Sequence, residues 1–335
     1  MLTYNIIYLD ASDEVKKSVE DFILAWFNDD ASISTFTSGS TGKPKSIKLL
    51  KSKMIESAMQ TGEFLGLKEK QSALLCLSPE TIAGKMMIVR AIALHLDLYV
   101  GAIDSHPFQN LDVEIDFVAM IPLQLNNSLD SNPEKLTRIK NIIIGGGIIP
   151  PTLITKLKNN KLTVFHTYGM TETISHIAMR KVGLIYEDSY TALGETIFSE
   201  LNGQLVIHSP ILDCGSITTN DNVQIIDNKH FIYKGRVDFV INSGGVKMHP
   251  EELENKLYAV ISQPFFITSL PDEYFGEKVV LIIEYAGTII LSDLNLKEVL
   301  KPYEHPKEIH CIPQFIRTNL GKINRVETMR KLTGL

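Results

Sequence analysis

Apolar residues recur along this chain in two rhythms, one at helical spacing and one in short continuous runs, and the two alternate over most of its length. Residues 6–9 predict a short strand. Ser12 suits an N-cap, and after it Val15, Val19, Phe22, Ile23 and Trp26 recur at helical spacing. The β-branched stretch 33–36 and the residues Ile47, Leu49 and Leu50 predict two strands on either side of a polar tract. A helix from about 53 to 65 follows and stops near Gly66. Runs at 74–77, 96–100, 117–121, 142–144 and 162–165 read as strands, several too continuously apolar for a half-exposed sheet. Helical spacing at 85–95 and 151–158 falls between them. This alternation predicts an α/β layered domain with a largely parallel sheet, whose ligands sit at the carboxyl ends of the strands.

From Glu200 the texture changes. Asn202-Gly203 is a hairpin turn ahead of 205–207, and 223–226 can pair with 231–233 across Asp227-Asn228-Lys229. A smaller α+β unit then begins, with helices at about 251–260, 293–300 and 326–332 and a strand at 279–285. The expected organisation is a large N-terminal layered α/β domain, 1–237, and a small C-terminal α+β domain, 238–335.

Charge and cysteine content narrow the function classes. A net charge of −6 without a basic stripe gives no reason to expect nucleic acid. Cys76, Cys214 and Cys311 are odd in number, far apart and in no metal-ligand spacing, which predicts reduced thiols. No apolar run reaches membrane-spanning length, and the first ten residues lack the basic start and cleavage site of a signal peptide. A cytoplasmic protein is expected.

The polar tract is Thr37-Ser38-Gly39-Ser40-Thr41-Gly42-Lys43-Pro44-Lys45. Gly39 and Gly42 let backbone N–H groups turn toward an anion, and the hydroxyls and lysines add donors, so it reads as a phosphate cradle. It is not a Walker A loop, because the Gly-to-Lys spacing is wrong and Pro44 stands where Ser or Thr is required. A flexible Ser/Gly linker is the plain alternative. The tract resembles the phosphate loop of the adenylate-forming, AMP-binding superfamily: acyl-CoA synthetases, adenylation domains of peptide synthetases, and luciferases.

Further motifs of that superfamily follow in order. Tyr168-Gly169-Met170-Thr171-Glu172-Thr173 closely resembles its core motif. The resemblance implies an aromatic face against adenine from Tyr168, a hydroxyl on the α-phosphate from Thr171, and a carboxylate for Mg²⁺ from Glu172. Gly145-Gly146-Gly147 resembles the turn lining the adenine and acyl pocket. Asp221 falls on the ribose-binding acid, within Thr219-Asn220-Asp221 where Asn220 replaces the usual Gly, and Arg236 on the residue bridging ribose and phosphate. Asp238 matches the hinge, with Phe239 where many members have a second acid. Ser243-Gly244-Gly245-Val246-Lys247 resembles the loop that faces the site in the second half-reaction and borders the tunnel for coenzyme A. Lys322 falls on the catalytic lysine, although Ile316 replaces the proline that usually leads that segment. Taken singly, these residues also read as a capped turn, a tight turn, a surface salt bridge and a solvated lysine.

The resemblance covers about 34–332 and implies an ATP-dependent acid–CoA ligase using ATP, Mg²⁺ and coenzyme A, with a mobile C-terminal domain that carries Lys322. The wording Pro79-Glu80-Thr81-Ile82-Ala83-Gly84-Lys85-Met86 and Thr173-Ile174-Ser175-His176 is most similar to the 2-succinylbenzoate–CoA ligases of menaquinone synthesis, although Thr81 stands where many of these have His. That acid carries a second carboxylate, for which Lys85, His176 or Arg180 could supply the anchor; a snorkelling lysine and a satisfied wall histidine are the alternatives. Another carboxylic acid, a carrier-protein acceptor, or a degenerate nucleotide-binding module stay open. Typical members carry a longer stretch ahead of the phosphate loop, so an exposed face and a homodimer are expected here.

Overall fold

The computed structural model describes residues 5–36, 46–317 and 323–333. The first elements are β1 (Ile6–Tyr8), α1 (Asp13–Phe27), the hairpin β2 (Ser32–Phe36) and β3 (Ser46–Leu50), and α2 (Lys51–Leu65). Next come β4 (Ser72–Leu75), α3 (Ile82–Leu94), β5 (Asp97–Val100), β6 (Phe117–Met120), α4 (Pro122–Ser131), α5 (Pro133–Leu136) and β7 (Asn141–Ile144). Then follow α6 (Pro151–Asn159), β8 (Thr163–Gly169), β9 (His176–Gly183), β10 (Tyr190–Ala192), β11 (Ile197–Leu201) and β12 (Gln204–His208). The long hairpin β13 (Ser216–Asp227) and β14 (His230–Arg236) closes the first unit.

Twelve of these strands form one sheet in the order β1-β5-β4-β6-β7-β8-β9-β10-β14-β13-β12-β11. From β1 to β8 neighbours run parallel, and from β8 onward antiparallel. Period-two alternation splits the parallel strands β4 to β8 between two cores. Phe117 and Ala119 face the layer built on α1, α2 and α3, while Val118 and Met120 face the layer built on α4 and α6. Helices on both faces explain why these strands carry apolar residues at nearly every position. The carboxyl ends of β4, β6, β7 and β8 therefore open on one edge, with the loops at 76–81, 121, 145–147 and 169–175.

The turn Val237–Phe239 leads into the second unit, which holds β15 (Ile241–Ser243), β16 (Val246–Met248), α7 (Pro250–Leu257), β17 (Phe265–Asp272), β18 (Gly276–Glu284), β19 (Glu308–Ile312) and α8 (Arg325–Thr333). Its sheet runs β16-β15-β18-β17, with β19 parallel to β18. The expected α/β class with a smaller α+β unit is what the structure shows. One expectation fails: 293–300 is not an α-helix but is flanked and interrupted by the short turns Leu291–Asp293 and Leu296–Glu298. Ser, Asp and Asn, the residue types at 292, 293 and 295, are weak helix formers, and burial of Leu296 and Leu300 needs no regular helix. The helix α4 and the strands β9, β17 and β19 were not anticipated.

The two units meet where α7 packs against β14. Lys234 lies 3.8 Å from Glu252. Behind this contact Arg325 bonds Glu254 at 2.8 Å, with Glu251 buried beside the pair and its Oε2 without a hydrogen-bond partner among the described residues. Burial pushes the Glu254 carboxyl up to about 7, Arg325 and the Ile267 N–H offsetting only part of that cost. The folded chain then holds a proton that the unfolded chain releases near 4.5, so stability from this group is lost as pH rises between these values. Relative to Glu254→Gln, the wild type should lose roughly 1–3 kcal/mol of local stability between about pH 5 and 8. Hydrogen-exchange protection of β17 and β18 measures it, and parallel pH profiles for the two proteins would refute it.

Candidate active site

The site grows from the end of β8. Met170 N–H bonds Thr173 Oγ1 at 2.9 Å, and the Thr173 hydroxyl lies 2.7 Å from the Ser175 carbonyl, so the chain folds back on itself within one short turn. Ile174, a buried β-branched residue, is held there at φ 68, a conformation costing roughly 1–3 kcal/mol. Gly169 makes the reversal feasible, since a Cβ at that position would sit 2.3 Å from the Ser175 carbonyl oxygen. The strained turn presents Thr171 half-buried and Glu172 exposed at its tip.

Tyr168, just before the turn, is fixed edge-on against Phe231 with centroids 5.0 Å apart. Its hydroxyl donates a short hydrogen bond to Asp221 Oδ2. The β13–β14 register places Asp221 directly opposite Arg236. Arg236 reaches Asp221 at 3.6 Å and Asp238 at 2.6 Å. Burial raises the Asp221 carboxyl above its usual range, while Tyr168 and Arg236 pull it back. Burial and the Asp221 charge push the Tyr168 hydroxyl well above 10, so the tyrosine stays the donor. An aromatic ring, a carboxylate and a guanidinium thus converge beside the Thr171–Glu172 tip. On the other side, the Gly145–Gly147 turn leaves β7, with Thr167 Oγ1 donating to the Ile144 carbonyl at 3.1 Å.

The family model for AMP-binding enzymes matches residues 9–229. The chain belongs to the AMP-binding enzyme family. It is 24% identical to the 2-succinylbenzoate–CoA ligase of Oceanobacillus iheyensis over 89% of this chain and 69% of that protein. The solved acyl-CoA synthetase (AMP-forming)/AMP-acid ligase II-like protein of Dyadobacter fermentans is 32% identical, with TM-score 0.65, covering 97% of this chain and 96% of that one. O-succinylbenzoate coenzyme A synthetase of Bacillus subtilis, solved with ATP and magnesium, shares the fold at TM-score 0.75 and 21% identity, over 88% of this chain and 69% of that one. By class this AMP-binding enzyme is an adenylate-forming acid–CoA ligase.

The donor set suits magnesium. Among the described residues no three His, Cys, Asp or Glu side chains cluster as metal ligands. An exposed Glu172 carboxylate next to the Thr171 hydroxyl fits an ion that keeps most of its waters and arrives on the phosphates of a nucleotide. Glu172 would hold it.

Other expected residues of the AMP-binding enzyme lie apart or out of view. The phosphate tract, with Thr37, Ser38, Gly39, Ser40, Thr41, Gly42 and Lys45, lies outside the described residues, as does Lys322. Gly244, Gly245 and Lys247 stand exposed between and on β15 and β16 of the small sheet. Lys85 is half-buried, its Nζ 3.2 Å from the Ser34 carbonyl, and burial lowers its pKa. His176 is buried, with Nε2 3.0 Å from Thr61 Oγ1. Thr61 gives its own proton to the Ser57 carbonyl, so His176 Nε2 donates and Nδ1 is left to accept. Among the described residues no helix is long and apolar enough to cross a membrane.

Arg90 is a buried cation, bonded to the turn after β8, that the motifs did not reveal. It lies on α3 and is 2% exposed. Its donors reach Ser175 Oγ at 2.8 Å, Thr61 Oγ1 at 3.4 Å and His176 Nδ1 at 3.5 Å, all neutral partners. Among the described residues no carboxylate forms a salt bridge with it. Burial pushes its pKa down to about 9, which leaves it charged at neutral pH. The available signal was a lone arginine in the otherwise apolar stretch Met86-Met87-Ile88-Val89-Arg90-Ala91-Ile92.

Proposed function

We propose that this AMP-binding enzyme activates an aromatic acid with a second carboxylate, 2-succinylbenzoate, as its acyl-adenylate and passes the acyl group to coenzyme A. The observation that carries the reading is Arg90. A guanidinium buried without a counter-ion is costly, and a carboxylate delivered by the substrate removes that cost. It stands directly under the turn whose tip carries Thr171, as its bond to Ser175 shows. In this reading the substrate, tied to phosphate at Thr171, extends inward and sets its second carboxylate against Arg90. The names of the relatives point to the same acid.

In this reading the substrate carboxylate attacks the α-phosphorus of ATP, a new P–O bond forms and pyrophosphate leaves. Tyr168 lies against the adenine, Asp221 accepts from the ribose hydroxyls, and Arg236 bridges ribose and phosphate. Thr171 donates to the α-phosphate, the tract Thr37–Lys45 holds the departing pyrophosphate, and Lys322 faces the charge that develops. The small domain, 238–335, then turns about Asp238, withdraws Lys322 and presents Gly244, Gly245 and Lys247. The thiolate of coenzyme A attacks the acyl carbonyl and releases AMP.

A panel of aryl and alkyl acids with ATP and Mg²⁺, scored for pyrophosphate with and without coenzyme A, tests the reading. We expect 2-succinylbenzoate to exceed single-carboxylate analogues by roughly 10²-fold in kcat/KM. Equal rates for the single acids would remove the proposed substrate. Pyrophosphate release without thioester would point to another acceptor, and ATP binding without pyrophosphate for any acid would make the chain a binding module.

A further inference from the structure

His166 lies on β8, two residues before Tyr168, and is 7% exposed. Its Nε2 is 3.0 Å from the Gly147 carbonyl and its Nδ1 2.9 Å from the Tyr190 hydroxyl. A carbonyl can only accept, so Nε2 carries a proton. Burial and the Arg180 charge hold the ring neutral, with a pKa pushed down to about 3. A neutral imidazole then has only a lone pair at Nδ1, and the Tyr190 hydroxyl must donate to it. Tyr190 is itself immobilised, stacked on Phe231 with centroids 5.3 Å apart and covered by the Arg180 guanidinium 4.9 Å away. Every member of the chain Tyr190–His166–Gly147 therefore has one hydrogen-bond direction available. The middle of the turn is Gly146 at φ 78, a conformation that depends on having no Cβ.

We propose that His166 is the positioning residue of the purine pocket, tethering Gly147 so that the Gly145–Gly147 backbone keeps the shape that receives adenine. It does this without touching the nucleotide. The inference rests on the assignment of that turn to the nucleotide pocket, made above.

AMP binding measured by calorimetry, on the full chain, separates the two. In His166→Gln the side-chain amide N–H reaches the place of Nε2 and can still donate to Gly147. In His166→Asn the amide reaches only the place of Nδ1. We expect His166→Asn to weaken AMP binding about tenfold and His166→Gln by no more than about threefold, as loss or retention of one hydrogen bond predicts. Melting temperatures of both should stay near the wild type. A packing role would move the two variants together, so equal affinities for Asn and Gln overturn the proposal whether both fall or neither does. Gly146→Ala tests the parent reading, with an expected loss of about tenfold or more from forcing a side chain into the left-handed region. Unchanged AMP affinity in Gly146→Ala, or no AMP binding by the wild type, overturns the pocket assignment and the tether with it. A loss in Gly146→Ala beside an unchanged His166→Asn overturns the tether alone.

Discussion

Lys322→Ala should slow acid-dependent pyrophosphate release by roughly 10²- to 10³-fold while leaving thioester formation from preformed acyl-adenylate within about threefold. The size follows from one ammonium group near a phosphorus that gains negative charge. At about 4 Å and an effective dielectric of about 20, the gross interaction is about 4 kcal/mol. Water entering the gap returns part of it, which sets the lower bound. The asymmetry between the half-reactions follows from the proposed rotation: the small domain that brings Lys322 to ATP takes it away before coenzyme A attacks. Single-turnover assays of each half, started from ATP and from isolated adenylate, measure both numbers. Comparable losses in the two halves would mean that the lysine acts in place throughout, and the rotation about Asp238 would go with it.

Much of this enzyme was legible in its sequence, for identifiable reasons. The parallel strands announced themselves because burial on both faces leaves no room for polar alternation, as at Val118, Ala119 and Met120. Asp221 and Arg236 were readable through the resemblance of their segments to the ribose-binding acid and its arginine, and the β13–β14 register sets the two opposite each other. The turn after β8 was readable because few sequences satisfy so tight a reversal, and Gly169 and Thr173 are the residues that close it.

What escaped notice has physical causes as well. The helix α4 begins Pro122-Leu123-Gln124, but Asn126 and Asn127 dilute its apolar stripe, and Gln124 is buried for a reason no local pattern shows: it bonds the Cys76 and Asp104 carbonyls at 2.8 Å each. His166 and His176 look alike in the sequence, each flanking the same motif. Only the fold shows that His166 holds the Gly147 carbonyl while His176 belongs to the polar cluster around Arg90. Such assignments depend on contacts between elements far apart in the chain, which periodicity does not encode.

Arg90→Met should raise KM for 2-succinylbenzoate by roughly 10²- to 10³-fold, the usual loss when one partner of a buried charge pair is removed. KM for a single-carboxylate analogue should change by no more than about threefold, because that acid never used the guanidinium. Arg90→Lys should fall between, since an ammonium keeps the charge but loses the planar fork that grips a carboxylate at two points. The decisive companion measurement is stability. A structural arginine, once removed, destabilises its surroundings. Among the described residues Arg90 has only neutral partners, Thr61, Ser175 and His176 included, so on this reading the folded protein carries a desolvation cost that methionine would relieve. An acceptor left unpaired would cost about 1–3 kcal/mol, but Thr61 Oγ1 keeps the His176 Nε2–H at 3.0 Å and Ser175 Oγ lies 3.4 Å from His176 Nδ1, so the vacated groups can pair with one another. Arg90→Met should therefore melt within a few degrees of the wild type, or above it, while its affinity for the two-carboxylate acid collapses. A variant that unfolds readily and activates both acids equally poorly would instead make Arg90 a structural cation, and the second carboxylate would need another anchor.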